Sequence, residues 1–464
     1  MNILLINPVI RKNRPPFNFP LGLGIIAAIM RDRGHKVSVY DQNALRTSFE
    51  DMYSDLKKLN NIDIIGIGGL ITVYRNVKRI VPALRDIFPK AKIIAGGGLT
   101  VDPDIVFENI NPDFCVHGEG EHTFPQLCEA LENGINKVKD IEGISYIEGN
   151  KLIITNPRLP EKNLDRFPMP AYDLFPSEIY FNNNLLKNFM RLNTGTSRTA
   201  TIMWSRGCPY ACSFCWRMMG RGTRYRSMDL VFKEIDYLRS YYNIDSYLFV
   251  DECINGNINK AKAFANGLIE SGNNLPWYSH ARVNTFTHEL AALFKKAGCL
   301  GLNFGIESGS KKILKIMNKK LDPDQAAKAV MAAKKAGIVP ICTFILGMPG
   351  ENLFTIQETV RWIIKNRLER YALFFATPFP GCDLYNTSLA QKRIFERYGT
   401  KDRYFSTLGD VADLSINLTK YPDAPLIKIK KIADIIINIF SLSSWIKLIH
   451  NPKKFIKTII NIPN

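Results

Sequence analysis

No window of this chain holds the uninterrupted apolar run of about 20 residues that a bilayer-spanning helix requires. Its start, Met1-Asn-Ile-Leu-Leu-Ile-Asn-Pro8, enters an apolar strand at once and lacks the basic head, apolar stretch and small-residue cleavage site of a signal peptide. Both absences point to the cytoplasm. Cysteine is sparse, nine in 464 residues, and six of the nine are scattered, which fits a reducing compartment and excludes a disulfide framework. The formal charge of +18 comes without a recognisable nucleic-acid module or a repeat of stacking aromatics, so nucleic acid is not the expected partner. Lys, Asn and Ile abound throughout and explain much of the excess, although an anionic substrate or a membrane surface also fits it. With 46% apolar and 22% charged residues the chain reads as folded, and its length suggests two or three domains.

The other three cysteines crowd together. Cys208, Cys212 and Cys215 lie in Arg206-Gly-Cys-Pro-Tyr-Ala-Cys-Ser-Phe-Cys-Trp216, directly after the apolar run Thr201-Ile-Met-Trp204. Structural zinc wants four closed ligands and a ferredoxin-type cluster wants four cysteines, so a compact set of three suggests a 4Fe-4S cluster with one iron left open. On these residues alone, a zinc loop completed by Cys253 or His280 and a chance cysteine cluster are the alternatives.

Hydrophobic periodicity divides the chain. Residues 1–135 alternate strands at Asn2–Ile6, Lys36–Tyr40, Asp63–Ile67, Lys92–Ala95 and Asp113–Val116 with helices near 22–33, 75–87 and 121–132. This predicts a doubly wound parallel sheet, Rossmann- or flavodoxin-like, with ligands beyond the strand carboxyl ends. Several of those ends are glycine-rich: Gly66-Ile-Gly-Gly69, Gly96-Gly-Gly98 and His117-Gly-Glu-Gly-Glu121. Residues 136–195 read as a connector, with a hairpin at Ile144–Ile147 and Lys151–Ile154 and a proline-stiffened stretch, Phe167-Pro-Met-Pro170. From 196 to 390 six strands, Thr199–Trp204, Ser246–Val250, Trp277–Ala281, Gly301–Gly305, Pro340–Ile345 and Tyr371–Ala376, alternate with helices near 228–242, 258–271, 287–297, 323–336 and 353–366. That count predicts a partial (β/α)6 TIM-like barrel, whose active site belongs at strand carboxyl ends, where the three cysteines are. Residues 391–464 read as a basic helical region. Leu426–Phe440, Trp445–Ile449 and Lys453–Lys457 are apolar-basic segments able to cover a core with lysines outward or to lie on anionic lipid.

The spacing Cys-x-x-x-Cys-x-x-Cys at a strand end resembles the signature of the radical S-adenosylmethionine (SAM) enzymes. The resemblance implies that SAM chelates the open iron and is cleaved reductively to a 5′-deoxyadenosyl radical. Further motifs follow successive barrel strands and resemble the SAM-contacting segments of that family. They give Phe214 for adenine, Asp251 and Glu252 near the methionyl amine, Arg282 for the SAM carboxylate, Glu307 and Ser308 in Gly305-Ile-Glu-Ser-Gly309, and Gly347 in Phe344-Ile-Leu-Gly-Met-Pro-Gly-Glu351. In Ala376-Thr-Pro-Phe-Pro-Gly-Cys382 the usual threonine is a cysteine, which receives no catalytic role.

The first domain, taken with its Gly-rich turns, resembles the cobalamin-binding domain that precedes many radical SAM barrels. That resemblance implies cobalamin contacts at Gly68, Gly69, Thr72, Gly97, Gly98, Gly118, Glu119 and Gly120. The Asp-x-His-x-x-Gly motif that supplies a histidine beneath cobalt is absent, so cobalamin without a lower histidine is expected. The function implied is a cobalamin-dependent radical SAM methyltransferase acting on an unactivated carbon of a small-molecule, lipid or peptide substrate, fed by an external electron donor. A cyclase or oxidoreductase without methyl transfer, and a non-catalytic iron-sulfur or cobalamin sensor, are the alternatives.

Overall fold

The computed structural model describes residues 1–11, 14–183, 186, 195–216, 219–409 and 411–440. Five parallel strands, β1 (Asn2–Asn7), β2 (Lys36–Asp41), β3 (Ile64–Gly68), β4 (Lys92–Gly96) and β5 (Phe114–Val116), run in the order β2-β1-β3-β4-β5. Alternation along β1 explains the two-sided winding. Ile3 and Leu5 join the cluster beneath helices Leu21–Asp32 and Gly120–Asn133, while Leu4 and Ile6 join the one beneath Tyr74–Ile87 and Pro103–Asn109. All four are at most 1% exposed, and each such side chain stabilises the fold by about 1.5–3 kcal/mol.

The hairpin read as part of the connector is joined to this sheet. Strand β6 (Ile144–Glu148) pairs antiparallel with β5, setting Cys115 against Ser145, and β7 (Lys151–Ile154) pairs with β6, so the sheet has seven strands. The edge of β5 would otherwise leave backbone groups unpaired, and the hairpin satisfies them.

The barrel sheet starts with β8 (Thr199–Ile202). A two-stranded antiparallel ribbon follows, β9 (Ser205–Arg206) and β10 (Arg224–Tyr225), bracketing the cysteine loop. Then come β11 (Ser246–Phe249), β12 (Trp277–Ala281), β13 (Cys299–Glu307), β14 (Val339–Leu346) and β15 (Tyr371–Phe375). The six long strands are parallel and lie in chain order, with β8 and β15 as unjoined edges, which is the partial barrel expected. Helices at Met228–Tyr242, Ile258–Glu270, His288–Lys296, Pro323–Lys335 and Leu353–Lys365 separate them. Each starts at a side-chain cap, Ser227, Asn257, Thr287, Asp322 and Asn352, that accepts an otherwise unpaired backbone N–H.

Beyond the barrel the chain returns to the first domain. Lys401 pairs with Asp102 at 2.9 Å and Asp402 with Lys78 at 2.7 Å, and Phe405 packs edge-on to Tyr74. Helix Asp423–Phe440 buries Leu426, Ala433 and Ile437 against the barrel and turns Lys428 and Lys431 outward, so this segment covers a core. The segments Trp445–Ile449 and Lys453–Lys457 lie outside the described residues. Among the described residues no helix is long and apolar enough to cross a membrane.

Candidate active site

The cysteine loop hangs from the β9–β10 ribbon. Its neck is so close that a Cβ on Gly207 would lie 2.2 Å from the carbonyl oxygen of Gly222, and Gly207 takes φ +87°, so glycine is required there. Cys212 is buried, Cys208 half-buried and Cys215 exposed. Arg282, after β12, donates from Nη1 to Cys212 Sγ at 3.4 Å, lies 3.5 Å above the Tyr210 ring, and gives its other Nη hydrogens to the Lys319 carbonyl oxygen. The neighbouring Cys253 thiol, helped by the Arg282 and Lys319 charges, holds the Cys208 thiol below its ordinary value, while Cys253 Sγ itself donates to Asn255 Oδ1 at 3.7 Å. Cations around sulfur favour the thiolate that iron binds.

Among the described residues no three Cys, His, Asp or Glu side chains converge as a single metal ion would need. Cys208, Cys212 and Cys215 lie within electrostatic reach of one another, whereas a cluster asks for one cysteine on each of three irons rather than three on one ion. The zinc completion is not assembled among the described residues: Cys253 Sγ donates to Asn255 Oδ1 at 3.7 Å, and His280 pairs with Asn303.

The SAM-motif residues divide. Glu307, Lys319, Arg282 and Phe214 come together: Glu307 Oε1 pairs with Lys319 Nζ at 2.8 Å, and that nitrogen lies 5.7 Å from the Phe214 ring centre. Glu307 takes φ +69° and folds back over Gly305, where a Cβ would lie 2.3 Å from its Oε1. Gly347 takes φ +91°, opening the turn after β14. Glu252 stays accessible, within electrostatic reach of Cys208.

Other expected contacts are committed elsewhere. Asp251 is fully buried and accepts from the Ser205 backbone N–H and hydroxyl, with the Trp204 N–H at 3.4 Å, so it ties β11 to β9 rather than facing a methionyl amine. Burial pushes its carboxyl up to about 6. Ser308 is buried against Thr359 Oγ1 at 3.1 Å. Arg282 gives its Nη hydrogens to Cys212 Sγ and the Lys319 carbonyl oxygen. Sequence reasoning missed Lys319 and Glu351. Lys319 follows the lysine-rich helix Lys311–Ile316 and only its burial sets it apart, whereas Glu351 ends the Gly347 motif and has Oε1 buried without a partner.

A cleft of about 360 Å³ opens beyond β1, β3, β4 and β5, bordered by Gly68, Gly69, Gly97, Gly118, Glu119 and Gly120. At Gly96 and Gly118 a Cβ would meet nothing within 4 Å, so backbone borders open space as a planar ligand needs. Thr72, expected here, lines an adjoining chamber instead and has its hydroxyl buried without a partner. Gly98 is covered by the Trp216 indole, 1.7 Å from where its Cβ would be. Glu119, although at the cleft, gives both oxygens to Arg224 at 2.9 and 2.6 Å. His117 bonds Ser145 Oγ at 2.9 Å, and His35 lies 3.3 Å from the amino terminus.

A three-cysteine loop at the mouth of a six-stranded parallel barrel points to a radical SAM enzyme, and the comparisons agree. Residues 202–363 match the radical SAM superfamily, and residues 8–128 match the B12 binding domain. The chain belongs to the radical SAM enzymes that carry a B12-binding domain. An uncharacterized methyltransferase of Pyrococcus horikoshii is 29% identical over 99% of this chain and 95% of its own length. The anaerobic magnesium-protoporphyrin IX monomethyl ester cyclase of Rubrivivax gelatinosus is 24% identical over 85% of this chain and 71% of its own. The structure of TsrM, a radical SAM methyltransferase from Kitasatospora setae, superposes with a TM-score of 0.70 at 20% identity, over 85% of this chain and 76% of that one. That likeness concerns the fold.

Proposed function

We propose that this protein is a cobalamin-dependent radical SAM methyltransferase that acts on an unactivated carbon of an organic substrate. The observation that supports the reading is the tie between the two regions: Met219, close after the three cysteines, borders the Gly-rich cleft, and Arg224 pairs with Glu119 at that cleft. When bound, the cluster and SAM supply a 5′-deoxyadenosyl radical, and cobalamin supplies a transferable methyl group. The protein's own residues do the rest. Cys208, Cys212 and Cys215 hold iron, Arg282 and Lys319 balance thiolate charge, Glu307, Phe214, Glu252 and Gly347 border SAM, and Gly68, Gly69, Gly97, Gly118 and Gly120 admit the corrin. An external donor supplies electrons, and the enzyme works in the cytoplasm on a small molecule rather than on nucleic acid.

The test is anaerobic. The reconstituted protein is loaded with hydroxocobalamin, freed of excess, and assayed with SAM and a reductant for 5′-deoxyadenosine. Retained cobalamin with deoxyadenosine is the expected result. Deoxyadenosine without retained cobalamin would favour the second reading, a cyclase or oxidoreductase without methyl transfer, which the likeness to the Rubrivivax gelatinosus cyclase supports. Neither signal from a fully loaded cluster would leave a sensor.

A further inference from the structure

One flank of the cysteine loop is closed by the first domain, through Arg224 at Glu119 and through Trp216 at Gly98. The other flank is backed by one layer of chain, the helix Lys311–Ile316 and the turn that follows it. The Ser213 backbone N–H donates to the Met317 carbonyl oxygen at 2.9 Å, and the Asn318 side-chain N–H donates to the Ala211 carbonyl oxygen at 2.7 Å. Ala211 and Ser213 are the neighbours of Cys212, so this turn lies against the backbone that carries that cysteine. Its outer side is open, with Lys315, Ile316, Asn318 and Lys320 exposed.

This layer is charged. Between Ser308 and Leu321 the chain holds five lysines and no acid. Two of the five are balanced, since Lys319 pairs inward with Glu307 and Lys311 pairs with Asp322, each at 2.8 Å. Lys312, Lys315 and Lys320 are exposed and have no carboxylate partner among the described residues. The acids on the helices alongside, Asp324 and Glu358, pair with none of them. Outside the described residues only Asp410 is acidic, and its neighbours Gly409 and Val411 line the chamber between the domains. Beside the lysines is an apolar spot. Ile316 is 39% exposed and packs on Gly350, where a Cβ would lie 3.2 Å from its Cδ1, and Phe354, four residues further on, is 79% exposed.

We propose that this face docks an acidic one-electron carrier protein, which delivers the electron that SAM cleavage consumes. The proposal deepens the radical reading and rests on it. One electron leaves the carrier, oxidising it by one, and enters the cluster, reducing it by one. Apolar side chains beside a charged rim suit protein docking, and unpaired surface lysines steer an oppositely charged partner without first breaking ion pairs. A small face suits a carrier that must leave after each electron.

The probe is flavodoxin, a small acidic carrier. It is mixed in its oxidised form with the full chain after cluster reconstitution and treated with a carbodiimide, which joins carboxylates to lysines in contact. Peptide mapping should find the links at Lys312, Lys315 or Lys320, and they should disappear at high salt. Links confined to other lysines, or no link at all, overturn the proposal. In parallel, deoxyadenosine formation is driven either by reduced flavodoxin or by titanium(III) citrate. Lys312→Glu with Lys315→Glu should raise the flavodoxin concentration for half-maximal rate on the order of tenfold. Lys315→Arg should leave it unchanged, and so should Lys151→Glu, on the outer hairpin of the first domain. The titanium-driven rate should be the same in every variant, because a small reductant needs no docking face. A flavodoxin-driven rate that ignores the double variant, or falls equally with Lys151→Glu, overturns the proposal, as does a titanium-driven rate that falls with the double variant. Lys312 and Lys315 are exposed, so their variants should keep the thermal transition of the unaltered protein. Absence of deoxyadenosine with titanium(III) would sink the radical reading, and the cross-link map would still judge the face.

Discussion

Arg224 grips Glu119 through both of its Nη nitrogens, at 2.9 and 2.6 Å. Beside it Arg206 meets Glu121 at 2.6 Å. The arginines sit at the two ends of the cysteine loop, and the glutamates sit just after β5, so the cysteine loop is fixed directly to the domain with the Gly-rich cleft. The Arg206–Glu121 pair is 3% and 5% exposed, where charges interact strongly but tolerate no missing partner.

Removing one member of that pair should therefore cost more than removing both. Glu121→Gln leaves Arg206 with an uncompensated part of its charge, and loss of a partner from a buried pair costs about 3–5 kcal/mol. The thermal transition of Glu121→Gln should fall well below that of the unaltered protein, and Glu121→Gln with Arg206→Met should regain part of the loss. A double variant no better than the single one would show that the clamp contributes nothing as a pair.

Cys253 lies beside Cys208, yet its thiol donates to Asn255 Oδ1 at 3.7 Å, and the expected ligand set is the three loop cysteines without it. Cys253→Ser should retain iron and sulfide at the unaltered ratio and keep reductant-dependent SAM cleavage. Cys208→Ala, Cys212→Ala and Cys215→Ala should each lose both. Iron analysis after anaerobic reconstitution decides it, and a Cys253→Ser protein without iron would overturn the three-cysteine assignment.

Trp216, immediately after Cys215, is held in a slot between two glycines. A Cβ on Gly98 would lie 1.7 Å from the indole, and one on Gly381 would lie 2.5 Å from its Nε1. Gly98→Ala should force the indole out, at the 1–3 kcal/mol typical of overpacking, and should loosen the contact between the cysteine loop and the first domain. Gly98→Ala with Trp216→Ala should relieve the clash and raise the thermal transition above that of Gly98→Ala alone. If the second substitution only adds to the damage, the slot is not where the strain arises.

Strand and helix positions in both sheets were legible because alternation and helical periodicity report burial directly, and burial organises these layers. The helices Gln42–Leu45 and Phe49–Leu56 were not legible, since a run of two turns or fewer shows too little periodicity to stand out. At the site, the cysteines and glycines were readable from spacing, because a cluster loop and a close backbone approach each demand particular residue types. The partners of Asp251, Glu119 and Arg282 were not. A carboxylate after a strand looks the same in sequence whether it faces a ligand or, as Asp251 does, the backbone of Ser205. Lys319 escaped for the same reason: eight residues of lysine-rich sequence precede it, and only the folded chain shows that this lysine is the one turned inward to Glu307.

Glu351 yields a pH dependence whose direction is fixed by its surroundings. It is 3% exposed, its Oε2 accepts the Gly347 backbone N–H, and its Oε1 has no partner. Burial pushes its carboxyl from 4.5 up to about 7. Between those values the folded chain holds a proton that the unfolded chain has released, so stability falls as pH rises through this window and the full penalty is present above it. A tenfold change in proton affinity is worth about 1.4 kcal/mol, so the effect amounts to a few kcal/mol. Glu351→Gln keeps an acceptor for Gly347 and removes the titration, so the drop in the thermal transition from pH 6 to pH 8 should be smaller in the variant. Identical drops in the two proteins would mean that Glu351 is ionised in the folded chain throughout, and that its buried oxygen has a partner, such as bound SAM or water, that supports the charge.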